Sequence, residues 1–212
     1  IIKMINLLFD ARLIYPTKTG LARFTSNLLL ALLKNGNPKK YSVTVILPNK
    51  KNIDNNYFNI LNSFKKNNKN VEFIFSNLNP FSLKQNLIFI KFGILGNFER
   101  YFYPHFNPPI FNGFLNYEFV IHDLIPLKFD GYIIKKSFFK KLYFKILLLI
   151  SIRKCSKCFV VSKFTQNQLI ELVGVNFLKK IYVIPEGTAL ENFQINKTNY
   201  LEENNISKNN YL

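Results

Sequence analysis

Seven short runs of β-branched and aromatic residues recur along this chain, and their spacing leaves room for a helix between most neighbours. They are MINLLF (4–9), VTVIL (43–47), VEFIF (71–75), YFY (101–103), EFVI (118–121), CFVV (158–161) and KIYVI (180–184). Short apolar runs of this composition read as strands, most of them buried on both faces. Between them apolar residues return every three to four positions, as in Leu21, Phe24, Leu28, Ala31 and Leu32 before Gly36. Leu169, Ile170, Leu172 and Val173 before Gly174 repeat the pattern. That is the helical period. Strand alternating with helix requires crossover connections, which make the sheet parallel and cover both its faces. The expected class is therefore α/β, with a doubly wound, mostly parallel sheet.

Local signals agree with that alternation. Thr165 and Gln168 have capping-box spacing, and Gly36 and Gly174 stand where left-handed C-terminal caps belong. After Phe193 the periodicity stops, and QINKTNYLEENNISKNN reads as a polar linker toward a new strand at Tyr211-Leu212. The expected organisation is one domain over residues 1–193, with 194–212 a linker and the start of a second domain. Cys155 and Cys158 form a lone C-x-x-C without the second ligand pair that tetrahedral zinc needs, so they read as small apolar fillers near a strand start. The longest apolar run, Ile146 to Ile152, is far short of the ~20 residues that span a bilayer. A reducing, cytoplasmic setting is the expectation.

With Lys+Arg at 29 and Asp+Glu at 12, the net charge of +17 favours a polyanionic neighbour: nucleic acid, anionic lipid or a phosphorylated ligand. Asn and Lys are abundant throughout (KNNKN, ENNISKNN), so the excess also fits a compositional drift spread over the chain.

In doubly wound sheets ligands bind outside the carboxyl ends of the strands, which directs attention to the loops there. The first, DARLIYPTKTGLARF, has Gly20 alone where a dinucleotide fingerprint needs three glycines, which disfavours a nicotinamide or flavin enzyme. One glycine at a helix N-terminus still lets a phosphate approach bare N–H groups, and Arg23 one turn on would clamp it; equally, Gly20 eases a turn and Arg23 is solvated. His122 and Asp123 close the fifth strand, and His105 closes the fourth. An imidazole at such an edge can exchange a proton or hold a hydroxyl, and the adjacent Asp123 carboxylate can orient a sugar hydroxyl, which makes both catalytic candidates; the structural alternative is a satisfied histidine beside a helix-capping aspartate. The stretch SFFKKLYFKILLLISIR, Ser137 to Arg153, reads either as a core helix with a solvated lysine face or as an interfacial helix against anionic lipid.

Taken in order, DARLI…TGLARFTSNLLLAL, YPHFNPP, VIHDLIPLKF, VVSKFTQNQLIELVGV and KIYVIPEG resemble the N-terminal half of the family 4 retaining glycosyltransferases, in the mannosyltransferase-like branch that builds bacterial surface polysaccharides. The resemblance covers about Ile5 to Phe193. It implies a GT-B architecture, two Rossmann-like domains facing across a cleft, the first holding the acceptor and the second a nucleotide sugar. Gly20 and Arg23 match the family's G-I-G-R-Y loop at the donor phosphates, with Leu21 for isoleucine and Phe24 for tyrosine. His122, with Asp123 and Leu124, matches the H-D-L whose histidine faces the reacting sugar. Ser162 matches the serine of the V-S-x-F-S turn and, with His105 and Asn107, would contact the acceptor. Glu186-Gly187 stands where the family usually has Asn-Gly, leaving that side chain without an inherited role. The family's paired donor-site glutamates lie in its second domain and do not occur here.

The implied activity is transfer of a sugar, mannose among the candidates, from a nucleotide-sugar co-substrate to a glycan or lipid-linked acceptor with retention. No metal or further cofactor is expected, since the family generally works without one and no Asp-x-Asp stands here. An anionic membrane surface is a further expected partner, at the inner face of the plasma membrane; nucleic acid is not. In such transfer the leaving phosphate helps deprotonate the acceptor, so His122 would orient and stabilise, with substrate supplying its hydrogen-bond partner. Two alternatives stay open. One is a catalytically silent half-transferase, and the other is a basic nucleic-acid module whose Tyr and Phe stack on bases.

Overall fold

The structure, a computed structural model, describes residues 4–14, 19–80, 82, 84, 98–106, 108, 116–128 and 138–187. Its seven strands are β1 (Ile5–Asp10), β2 (Tyr41–Leu47), β3 (Val71–Phe75), β4 (Arg100–Tyr103), β5 (Asn116–Ile121), β6 (Lys157–Val160) and β7 (Ile181–Val183). They form one sheet in the order β3-β2-β1-β4-β5-β6-β7, and every pairing is parallel. Each strand lies within two residues of a run read from sequence. The doubly wound α/β class therefore holds.

Among the described residues five α-helices accompany the sheet: α1 (Gly20–Asn35), α2 (Asn55–Asn67), the short α3 (Ile125–Lys128), α4 (Phe138–Lys154) and α5 (Lys163–Val173). From β1 the sheet grows one way to β3, and from β4 it grows the other way to β7. Right-handed crossovers then force the helices of the two halves onto opposite faces. The packing shows this directly. Phe9, Val45 and Leu47 are buried with Leu29 of α1 and Leu61 of α2. Tyr117, Phe119 and Val160 are buried on the opposite side with Leu148 and Ile152 of α4 and Leu169 of α5. Burying a Leu or Phe side chain contributes about 1.5–3 kcal/mol, so each face is held chiefly by its own helix pair, with Leu8 of β1 and Ile46 of β2 joining the second cluster.

The helix ends correct two expectations. The cap of α5 is Ser162, whose Oγ accepts the Thr165 N–H at 3.0 Å, so the capping pair lies three residues before the Thr165–Gln168 spacing read from sequence. Gly174 does have positive φ, at 98°, but Gly36 is extended at φ −65°. Glycine is needed at 36 for room: a Cβ there would sit 2.5 Å from the Leu32 carbonyl oxygen. Both cysteines are buried and free, and burial pushes the Cys155 thiol up to about 11, which keeps it a protonated filler. The linker and second-domain start expected over 194–212 lie outside the described residues.

The reversal of strand order between β1 and β4 opens a crevice at their carboxyl ends, and all seven strands being parallel brings every post-strand loop to that same edge.

Candidate functional site

Three loops meet at this edge, after β1, β5 and β7. In the first, Thr19 caps α1 by accepting the Ala22 N–H at 3.2 Å, and its carbonyl takes the Arg23 N–H at 3.0 Å. That arrangement leaves the N–H groups of Gly20 and Leu21 at the helix mouth, where the axial dipole is positive. Gly20 itself has no positive φ, and a Cβ there would meet nothing within 4 Å. Nothing among the described residues therefore demands glycine at this position. Arg23 is exposed, and among the described residues its side chain has no ion-pair or hydrogen-bond partner.

His122 follows β5 directly, and the ring of Phe24, one turn into α1, packs edge-on against it at 4.6 Å between centroids. Its Nδ1 lies 2.7 Å from Oε1 of Glu186, and its Nε2 lies 3.2 Å from the Pro104 carbonyl oxygen. Carbonyl and carboxylate both only accept, so both contacts are satisfied together when both ring nitrogens carry hydrogen. The expectation that substrate supplies the partner of His122 is thereby corrected. The register of parallel β4, β5 and β7 carries two protein acceptors to the same ring. The ring is 16% exposed, whereas Glu186 is 49% exposed and can turn aside into solvent.

The other residues singled out from sequence divide. Asp123 is exposed, and its Oδ1 accepts the Ile125 N–H at 3.0 Å, so it caps α3 as the structural alternative held. The Ser162 hydroxyl is engaged by α5, between the Thr165 N–H and the Thr165 hydroxyl at 3.0 Å each. His105 is 3% exposed, packed against Tyr103 and Phe106, and forms wall rather than contact surface. Desolvation, with the nearby His122 adding to it, holds the His105 imidazole down to about 3, so it is neutral at ordinary pH. Asn107 lies outside the described residues.

Gly20, Arg23 and Phe24 on one side and Pro185, Glu186 and Gly187 on the other frame a cavity of about 670 Å³. It runs from the carboxyl edge down the α1 side of the sheet, over Phe102, Val120, Phe159 and Val161. A mostly apolar body with a few polar groups at one end is the usual build of a small-molecule site. No group of three or more His, Cys, Asp or Glu able to hold a metal occurs among the described residues.

Two features escaped the reading of sequence. Glu186 is marked in the sequence only as a departure from the family's Asn-Gly, without a role; the signal for its contact with His122 was its place just beyond the last strand, at the same edge. The second is a buried ion pair. Arg12 and Asp10, each 1% exposed, pair with 2.7 Å between Nη2 and Oδ2, and the Tyr101 hydroxyl donates to Oδ2 at 2.9 Å. Burial disfavours the Arg12 charge, but the Asp10 carboxylate more than offsets this and raises its pKa. Asp-x-Arg at a strand end was the available sign.

No protein-family model matches the chain, and no curated protein matches it.

Proposed function

We propose that this sheet edge is one wall of the active cleft of a retaining glycosyltransferase, which moves a sugar from a nucleoside-diphosphate donor to a glycan or lipid-linked acceptor. The observation that carries the reading is the meeting of α1's open N-terminus, Arg23 and Glu186 around one cavity, with His122 held against two of its lining residues, Glu186 and Phe24. A diphosphate needs donors and positive potential, which the Gly20 and Leu21 N–H groups and the unpaired Arg23 supply. The room above Gly20 is what an approaching phosphate would occupy. His122, fixed by Pro104 and Glu186, packs against Phe24 one turn further into α1. When Glu186 turns into solvent, Nδ1 is released to donate to a sugar hydroxyl or to the developing charge.

The same reading brings α4 to an anionic membrane, where an acceptor carried on lipid would be found. Leu147, Leu148 and Ile152 of α4 face the core, while Leu142, Tyr143 and Ile146 are exposed beside the exposed Lys145. Apolar residues rimmed by lysine suit the headgroup boundary. Among the described residues no helix is long and apolar enough to cross a membrane.

The test uses the protein as its gene encodes it, with a panel of nucleotide sugars and a lipid extract as acceptor, and follows nucleoside-diphosphate release. The anomeric configuration of the product is read by NMR. His122→Ala should lower turnover by on the order of 10²–10³, as the loss of one oriented donor does. Turnover near normal with a lowered denaturant midpoint would make His122 architecture, and the reading would lose its centre.

A further inference from the structure

The candidate site leaves one border of the sheet unused, the outer edge of β3. This strand, VEFIF, is five residues long and pairs only with β2 among the described residues. The Val43 N–H donates to the Asn70 carbonyl at 2.8 Å, and the Ser76 N–H donates to the Leu47 carbonyl at 2.9 Å. A parallel ladder uses alternate residues, so the N–H and C=O groups of Phe73 and Phe75 point away from the sheet. Such an edge is a template for another strand. The chain leaves it at once. The Leu78 carbonyl accepts from Arg12 Nη1 and the Pro80 carbonyl accepts from the Tyr103 hydroxyl, each at 3.3 Å, and further on the Glu99 N–H donates to the Asn6 carbonyl. These anchors belong to β1, its following loop and β4, at least two strands from the β3 edge.

Proteins commonly blunt an exposed edge with lysine or proline on the strand itself. β3 carries neither; its one charged residue is Glu72, and Phe75 is 46% exposed. The cations stand beside the strand instead, and its own rings locate them. Lys65 of α2 lies over the Phe73 ring at 5.5 Å. Lys50 lies over the Phe58 ring at 5.1 Å, and that ring packs on Phe75 at 6.1 Å. Lysine is thus brought to both residues whose backbone is free, once directly and once through Phe58. Lys66, Lys69 and Lys51 add to the same border; all five lysines are exposed, and among the described residues none has an ion-pair partner. Cations in the last turn of α2 also suit its dipole, but Lys50, Lys51 and Lys69 lie outside that helix. The stretch that builds this border, residues 41–76, is described throughout. Its other acid, Asp54, is engaged in capping α2, its Oδ1 accepting the Tyr57 N–H at 3.0 Å.

We infer that the β3 edge docks an extended, acidic segment of a partner protein, which adds a strand to the sheet and sets its carboxylates against Lys50 and Lys65. Main-chain bonds to Phe73 and Phe75 supply the attachment, and the lysines select an acidic strand over others. Phe73 and Phe75 share one side of the sheet and lie about 6.6 Å apart along the strand, so the acids belong at alternate positions of the incoming segment, on the α2 side. A second copy of this chain is the wrong partner, because pairing β3 with β3 sets lysine against lysine. Nucleic acid answers the charge but cannot continue a ladder of alternating donors and acceptors, and lysine already covers the Phe58 and Phe73 rings. The surface lies apart from His122 and does not depend on the transferase reading.

The experiment is an amide NMR titration of the full chain with a blocked peptide of about seven residues that alternates glutamate and valine, long enough to pair with all of β3. The same peptide with lysine for glutamate, and a single-stranded oligonucleotide, are titrated separately. The acidic peptide, taken to about 1 mM so that a Kd of that order is read, should shift the amides of Val71 to Phe75 and slow exchange at Phe73 and Phe75. The basic peptide and the oligonucleotide should leave those amides unmoved. Phe75→Pro removes an N–H that the sheet does not use and should weaken acidic-peptide binding roughly fivefold. Lys50→Ser/Lys65→Ser keeps every backbone bond and so remains a test if the proline variant folds poorly; it too should weaken binding roughly fivefold and flatten its dependence on salt. No shift with the acidic peptide, equal binding of the basic peptide, the same shifts with the oligonucleotide, or binding unchanged in the lysine variant would each overturn the inference.

Discussion

At Gly20 the backbone is helical and the space beyond Cα is empty, so the two costs of adding a methyl group separate. Gly20→Ala should raise stability slightly, by up to about 1 kcal/mol, because the unfolded chain loses freedom that the folded one never used. If a diphosphate occupies that space, the same change should weaken binding of guanosine or uridine diphosphate, read by calorimetry. Higher stability with unchanged affinity would return Gly20 to an ordinary helix start. His105 makes a prediction about pH. Its folded-state pKa of about 3 lies below the ordinary 6.5, so between those values the unfolded chain takes up a proton that the folded one refuses. Stability therefore falls as pH drops through that window and is unaffected by this group above it. Between pH 7 and 4.5 the loss attributable to His105 should be about 2–3 kcal/mol, and His105→Phe should abolish that share. Parallel denaturant curves at the two pH values check it. For His122 the partner decides the reading. Glu186→Gln leaves the fold intact and removes only the charge facing Nδ1, so a change in the pH–rate profile without a change in midpoint would mark Glu186 as a positioning residue.

Among the elements, α4 is apolar on two sides, which is unusual for a helix that covers a sheet. The inner side is explained by packing: Leu148, 2% exposed, touches the β4–β6 core, and Leu148→Ala should cost about 2–5 kcal/mol. The outer side is not explained by folding. Ile146, 47% exposed, can be changed to Ser with an effect on stability within about ±0.5 kcal/mol. On vesicles containing anionic lipid, Ile146→Ser should sediment less than the parent protein if this side meets a membrane. Equal sedimentation would leave the outer side as surplus apolar surface.

For the whole molecule, the reversal of strand order makes β1 and β4 the centre of the sheet, with three strands on one side of the β1–β4 boundary and four on the other when each counts itself. Local opening starts at edges, so amide exchange should be slowest in β1, β4 and β5 and fastest in β7, which is three residues long and, among the described residues, pairs on one side only. Slow exchange in β7 would mean that something covers that edge in solution. Much of the aromatic content belongs to this core. Phe9, Tyr101, Tyr103, Tyr117 and Phe119 are almost fully buried, so these rings cannot stack on bases, whereas Phe75, Tyr143, Phe164 and Tyr182 are exposed.

The seven strands, their parallel arrangement and the loops worth inspecting were legible in the sequence, because period and composition are local properties and a crossover of helix length leaves few topologies. The ends of helices were less so. Ser162 and Gly36 act through contacts three and four residues away that depend on where the last turn closes. What His122 touches could not be read at all: Pro104 and Glu186 lie 18 and 64 residues from it in the chain and meet it only because parallel strands carry their loops to one edge. The Asp10–Arg12 pair is local, two residues apart, but the partners that surround it, Tyr101 and the Leu78 carbonyl, arrive by the same route. Local sequence determines which segments become strand or helix, but only the stacking of β3-β2-β1-β4-β5-β6-β7 determines which loop ends become neighbours, and the chemistry of this protein lies between those neighbours.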